Sequence, residues 1–253
     1  VFDAFRRRNL AIGCYFSKSD WHCPWYWAPD FPVVDRNVNY DTAAHPAIWE
    51  QFVDYTHRQV RELMTNYGPV DLLWLDGGQV KPPTQDLRMD AMVSEARLHQ
   101  PGLIVADRMV GGPNENFITP EKEIPERPLG VPWESCMTLG RGWKYYPNNV
   151  FKPVGEIIKM LVEIVAKGGN LLLGVGPSPE GEIPAEAELR LREIGVWLAV
   201  NGPAIYGTRP LAPFRDGPAW LTCRGDAIYA ILLSEGAGAP PRTGRPAPAA
   251  RLP

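Results

Sequence analysis

The chain has 253 residues, of which 45% are hydrophobic and 22% charged, with a net charge of −3. That is ordinary globular composition with enough apolar material for a sizeable core. No basic stripe is present, which argues against a nucleic-acid partner, and no apolar run is long enough to span a bilayer, so no membrane partner is expected. Cys14, Cys23, Cys136 and Cys223 form no Cys-x-x-Cys pair, and the four histidines are not at metal-ligand spacing. Neither a metal nor a disulfide framework is therefore expected.

In chain order, Leu10–Phe16 reads as a buried strand and is followed by a rich loop from Ser17 to Pro46. Trp49, Phe52, Val53, Thr56, Val60, Leu63, Met64 and Tyr67 then recur at three- and four-residue steps, the single apolar face of a helix. Pro46 suits its first turn and Gly68 its stop. Val70–Leu75 is an apolar run too short for a helix. It reads as a buried strand ending at Asp76-Gly77-Gly78. The alternation continues with a helix over 86–99 and a strand over Leu103–Ala106 that ends at Asp107-Arg108. A Gly- and Pro-dense loop occupies 111–132, and a short strand Trp133–Met137. A second clear helix covers 153–167, a strand Asn170–Val175, and a third helix 185–200 with Leu189, Ile194, Trp197 and Leu198 inward.

Strand–loop–helix repetition implies parallel strands joined by helical crossovers. Residues that can do chemistry fall just after strand C-termini, the position at which (β/α)8 barrels build their sites. The competing doubly wound sheet lacks its Gly-rich dinucleotide fingerprint. About five strands are countable, fewer than a closed barrel needs. We expect 1–202 to be a partial barrel. Short strand-like pieces at Ala204–Tyr206, Trp220–Thr222 and Ala227–Leu233 suggest a β domain beginning over 203–234. A Gly/Pro-rich tail over 235–253 is expected to be disordered.

Asp76 is the strongest candidate for chemistry: a strand-end carboxylate beside two glycines. The bland reading is an Asp that only caps the following turn. Glu115, Glu121, Glu123, Glu126 and Glu134 lie downstream as possible second carboxyls, and most loop glutamates are merely solvated. Arg108 can bind a hydroxyl, neutralise a carboxylate or form a structural ion pair.

At these residues the chain resembles a known family. Trp-Leu-Asp-Gly-Gly (74–78) is similar to the nucleophile segment of glycoside hydrolase family 29, the α-L-fucosidases. Tyr15-Phe-Ser-Lys-Ser-Asp-Trp21 resembles the family's Tyr-Tyr-Ser…Asp-Trp strand end, and Asp107-Arg108 its Asn-Asp-Arg turn. Thr119-Pro120-Glu121 resembles its acid/base loop and Trp133-Glu134-Ser135-Cys136 its Trp-Glu segment. The run from Val165 to Pro177, then Gly181-Glu-Ile-Pro184 and Asn201-Gly-Pro-Ala-Ile-Tyr-Gly207, is the most distinctive stretch.

The resemblance implies a (β/α)8 catalytic domain and a retaining α-L-fucosidase that needs no cofactor and acts on fucosylated oligosaccharides or glycoconjugates. Asp76 would be the nucleophile and Glu121 the general acid/base, with Glu134 the alternative acid or a pocket residue. Tyr15, Trp74, Arg108 and Trp133 would contact fucose, Trp74 near its methyl group. The Thr-Pro-Glu…Pro-Trp-Glu-Ser-Cys-Met-Thr combination looks more like the branch acting on α-1,3/1,4-linked fucose. A periplasmic or extracellular location follows from the same resemblance. The family's His-Trp-Gly and His-His-Asp-Gly segments are not in this chain, so it reads as a fragment that starts about three strands into the barrel. The alternative function is then a non-catalytic fucose- or glycan-binding remnant, or an inactive fragment. Another class of barrel glycosidase would rest on fold analogy alone.

Overall fold

The computed structural model describes residues 1–108 and 110–233. They fall into two compact units, Val1–Thr119 and the residues from Pro120 onward.

In the first unit a short helix α1 (Phe2–Arg6) precedes β1 (Gly13–Ser17), α2 (Pro46–Asn66), β2 (Leu72–Asp76), α3 (Met89–His99) and β3 (Ile104–Asp107). The three strands form a parallel sheet in the order β1-β2-β3. The register sets Tyr15 opposite Trp74, Ser17 opposite Asp76, and Leu75 opposite Asp107. Residues alternate between the two faces of a strand. Cys14, Leu73, Leu75 and Val105 turn to one face and pack with Val60 and Met64 of α2 and Met92, Val93 and Ala96 of α3. Fully burying a leucine stabilises by about 1.5–3 kcal/mol, and both Leu73 and Leu75 are completely buried. Tyr15, Trp74 and Asp76 occupy the other face.

The long connection after β1 builds a core of its own. Tyr26, Tyr40, Val80 and Leu87 pack against Trp49, Phe52 and Val53 of α2. The Asn39 side chain bonds both main-chain groups of Ala28 and the carbonyl of Phe31, satisfying loop backbone that has no ladder to join.

The second unit contains β4 (Glu134–Thr138), α4 (Val154–Ala166), β5 (Asn170–Gly174), α5 (Ala185–Asn201), a 3-10 turn (Gly202–Ala204) and the strands β6 (Arg209–Asp216), β7 (Ala219–Arg224) and β8 (Ala227–Leu232). β4 and β5 pair in parallel, and β6-β7-β8 form an antiparallel sheet. Helix α4 is apolar on two sides. Ile157 packs with Leu139, Leu171, Leu173, Ala187 and Ile194. Ile158 and Val162 pack with Ile205, Trp220 and Ile231.

Several expectations need correcting. β1 is not a buried strand: Cys14 is buried but Tyr15 is 63% exposed, because strand alternation turns Cys14 to the core and Tyr15 to the other face of the sheet. The helix expected over 86–99 starts at Met89. Arg88 is left-handed, at φ 53°, and its N–H donates to the Asp86 carboxylate at 2.8 Å, so residues 86–88 stay outside the helix. In α5 Ile194 is buried, but Leu189 is 50% exposed. It lies two residues from buried Ala187, about 200° round the helix. Ala204–Tyr206 is not strand-like: the amides of Ile205 and Tyr206 both bond back to the Gly202 carbonyl. β6 was not foreseen because it carries Pro210 and Pro213. It is an edge strand whose register shifts between Pro210 and Arg215, where a missing N–H is tolerated. The tail over 235–253, expected to be disordered, lies outside the described residues.

Candidate active site

The first unit gathers four of the sequence candidates at the C-terminal edge of its sheet. Trp74 is the buried floor. The Tyr15 ring stacks beside it with centroids 5.5 Å apart and planes at 23°. The Arg108 guanidinium lies 5.5 Å from the Trp74 ring centre, an attractive placement for a cation on an indole face. From this platform both groups reach the same carboxylate. The Tyr15 hydroxyl donates to Asp76 Oδ2 at 2.6 Å and Arg108 Nη1 donates to Asp76 Oδ1 at 2.9 Å. The parallel register makes this possible, because it brings the ends of β1 and β3 level with the end of β2.

The electrostatics favour an ionised Asp76. Burial alone pushes its pKa up. The Tyr15 hydroxyl, the Gly77 N–H and the Arg108 charge together outweigh burial and hold it below the usual carboxylate range. The carboxylate side chain keeps 28% of its surface open. The site can therefore present a charged, oriented and accessible oxygen. Gly77 has φ +90°, and a Cβ there would make only ordinary contacts of 3.5–3.6 Å with Ser19 and Lys18. The need for glycine is thus conformational.

Glu121, Glu134 and Trp133 belong to the second unit. Glu121 is exposed and accepts a hydrogen bond from Trp143 Nε1 at 3.0 Å. Its loop is pinned rather than loose. Glu121 bridges to Cys136, the Lys122 N–H bonds the Cys136 carbonyl at 2.8 Å, and the Cys136 N–H bonds the Pro120 carbonyl at 2.9 Å. Glu134 opens β4 opposite Asn170 and is half-buried. Trp133 does not present its ring to solvent: it is 1% exposed and packs against Gly169. Of the remaining glutamates, Glu115 is half-buried in the first unit. Its pKa is raised by burial and then by the Asp107 charge, with Lys18 opposing.

Sequence reasoning missed Trp143. Its ring occupies space that only glycine leaves open, since a Cβ on Gly174 would sit 2.6 Å from two of its ring carbons. The contact joins residues 31 positions apart in separate loop and strand segments, and no local pattern announces it. Among the described residues no group of three or more His, Cys, Asp or Glu could hold a metal ion, and no helix is long and apolar enough to cross a membrane. The four cysteines are free thiols.

The family model described as alpha-L-fucosidase matches residues 1–203. Tissue alpha-L-fucosidase of Bos taurus is 31% identical over 244 residues, covering 91% of this chain and 49% of that protein. Human plasma alpha-L-fucosidase is 31% identical over 243 residues, covering 90% of this chain and 49% of that protein. The chain thus spans about half the length of the curated relatives it matches. Among solved structures, alpha-L-fucosidase isoenzyme 1 from Paenibacillus thiaminolyticus superposes with a TM-score of 0.81 at 32% identity, over 93% of this chain and 59% of that one. Thermotoga maritima alpha-fucosidase, in complex with a mechanism-based inhibitor, gives 0.72 at 28% identity over 90% of this chain and 52% of that one. With a family match over residues 1–203, the chain belongs to the α-L-fucosidase family, glycoside hydrolase family 29.

Proposed function

We propose that the protein is a retaining α-L-fucosidase that releases terminal α-linked L-fucose from oligosaccharides or glycoconjugates by double displacement. The observation that carries this reading is Asp76, whose two carboxylate oxygens are each held by a separate donor while part of the group stays open. A carboxylate so held is aimed and ionised, as attack on an anomeric carbon requires.

In this reading Asp76 displaces the leaving oxygen and forms a fucosyl ester, and Glu121 donates the proton that the departing oxygen needs. Water assisted by the same Glu121 then opens the ester. The Trp143 N–H steadies the Glu121 carboxyl. Tyr15 and Arg108 orient Asp76 and offer hydrogen bonds to sugar hydroxyls, and Trp74 supplies an apolar wall. Trp133 contributes by packing against Gly169 before β5, and Glu134 is the second candidate for the acid. The parallel sheet β1-β2-β3 and the parallel pair β4-β5 are each read as part of a (β/α)8 barrel extending to residue 202, with the β6–β8 sheet opening a further domain. The Thr-Pro-Glu and Trp-Glu-Ser-Cys segments favour α-1,3/1,4-linked substrates.

The test is covalent. A 2-fluoro-fucosyl donor with a good leaving group should label a peptide containing Leu75-Asp76-Gly77. Asp76→Gly should lower turnover by at least about a thousandfold, roughly 4 kcal/mol of barrier, and azide should restore part of it as the inverted fucosyl azide. A label on another carboxylate would refute the nucleophile. Fucose binding with no labelling and no turnover would favour a non-catalytic binding module.

A further inference from the structure

Just behind the Asp76 carboxylate lies a second charged pair that the proposed chemistry does not use. Lys18 Nζ donates to Asp107 Oδ1 at 2.6 Å, and the two side chains are 0% and 4% exposed. Burying two charges costs several kcal/mol per ion even after relaxation, and well-packed apolar residues often hold a structure as well. Stability alone is therefore a weak reason for the pair. A hydrogen-bonded ion pair adds direction, which an apolar contact lacks.

The direction here matters. Lys18 directly follows β1 and Asp107 ends β3, and those strands are neighbours of β2 but not of each other. The ion pair therefore spans the end of β2. Both of its anchors are bonded to β2 through the main chain: the Lys18 N–H to the Asp76 carbonyl at 2.9 Å, and the N–H of Arg108, next to Asp107, to the Leu75 carbonyl at 3.1 Å. Strand alternation then divides the work. Asp107 shares the face of its register partner Leu75, toward the core with α2 and α3, whereas Arg108 turns to the face of Asp76. A backbone rotation at Asp107 would swing the adjoining Arg108 and disturb its 2.9 Å bond to Asp76 Oδ1. Glu115 senses the same pair, its carboxyl disfavoured as an anion by Asp107 and favoured by Lys18.

We propose that Lys18 and Asp107 are positioning residues of the site: their buried ion pair locks the end of β1 to the end of β3 across β2 and so aims Arg108 at Asp76. This rests on the proposed role of Asp76, but its test does not. Protein labelled with ¹³C at aspartate carboxyls would be titrated by NMR, with Asp76 assigned from Asp76→Asn. The variants are Asp107→Asn, nearly isosteric, and the apolar double variant Lys18→Met/Asp107→Leu. We expect the double variant to melt near the wild-type temperature and Asp107→Asn, which leaves the buried Lys18 charge unpaired, to melt lower, while in both the Asp76 midpoint moves upward as Arg108 drifts away and Tyr15 remains. We also expect the limiting rate of labelling by the fluorinated donor to fall about tenfold or more, with a smaller change in the donor concentration that saturates it, as for a misaimed nucleophile. If the double variant keeps both the Asp76 titration and the labelling rate, the pair is replaceable packing and the inference is overturned. A wild-type protein that takes no label would refute the proposed function, while the NMR titration would still decide this one.

Discussion

Replacing Arg108 by Met in a double-mutant cycle with Asp76→Asn would measure how strongly the cation holds the carboxylate. Two unit charges about 4 Å apart attract by about 4 kcal/mol at an effective dielectric near 20. Asp76 keeps 28% of its side-chain surface in solvent, so water recovers part of that interaction, and hydrogen bonds to charged groups typically net about 1.5–3 kcal/mol. A coupling energy of about 2 kcal/mol is therefore expected from urea unfolding at pH 7, followed by tryptophan fluorescence. Arg108→Met alone should cost more than Asp76→Asn alone. It strips the guanidinium from the Trp74 ring and leaves Asp76 with its desolvation less well opposed. The sign of the pH dependence follows from the lowered Asp76 pKa. Its contribution is fully present above the unfolded value of about 3.9 and is lost as pH falls through the lower folded value. The coupling should thus shrink on acidification to about pH 3. A coupling below about 0.5 kcal/mol at pH 7 would place the pair among ineffective surface bridges, and one unchanged by acid would show that packing, not charge, links the two residues.

Tyr15→Phe removes the 2.6 Å donor to Asp76 Oδ2. With Tyr15 largely exposed, we expect a stability loss of only about 1 kcal/mol but an upward move of the acid limb of fluorinated-donor labelling; an unmoved limb would mean that water substitutes for the hydroxyl. Gly174→Ala sets a methyl 2.6 Å from the Trp143 ring. It should destabilise by about 1–3 kcal/mol through overpacking. It should also slow cleavage of natural glycans more than of activated aryl fucosides, because the acid matters least where the leaving group needs no proton; equal losses would separate Trp143 from the acid. Leu73→Ala, fully buried in the first unit's core, should cost about 2–5 kcal/mol in denaturation, and a loss under about 1 kcal/mol would contradict the packing described.

The parts of this fold that were legible in advance are those encoded by consecutive residues. The stripe from Trp49 to Tyr67 read as one face of a helix, and Trp49, Phe52, Val53, Thr56, Val60 and Met64 are buried in α2, whereas Tyr67 lies just past its last residue and is exposed. The short apolar run before Asp76 could only be a strand, and its end placed a carboxylate where parallel sheets expose them. Boundaries failed where one side chain overrode the pattern, as Asp86 did in capping Arg88. Orientation failed at Leu189, where apolarity suggested an inward face but helical phase put it opposite Ala187.

By itself the sequence determined the strands β1 to β5 and the helices α2 to α5 to within a few residues, though not β6 or the turn at Gly202–Ala204, together with the residues at strand ends and the chemistry their side chains can perform, because 3.6- and 2-residue periods are local properties of the chain. Only the tertiary structure decided which oxygen of Asp76 meets Tyr15 and which meets Arg108, that Lys18 reaches Asp107 across an intervening strand, and that Trp143 settles on Gly174 beside Glu121. Those outcomes depend on strand register and on burial, which are set by packing between segments distant in sequence. A one-residue slip in register would have turned every one of these strand side chains to the opposite face.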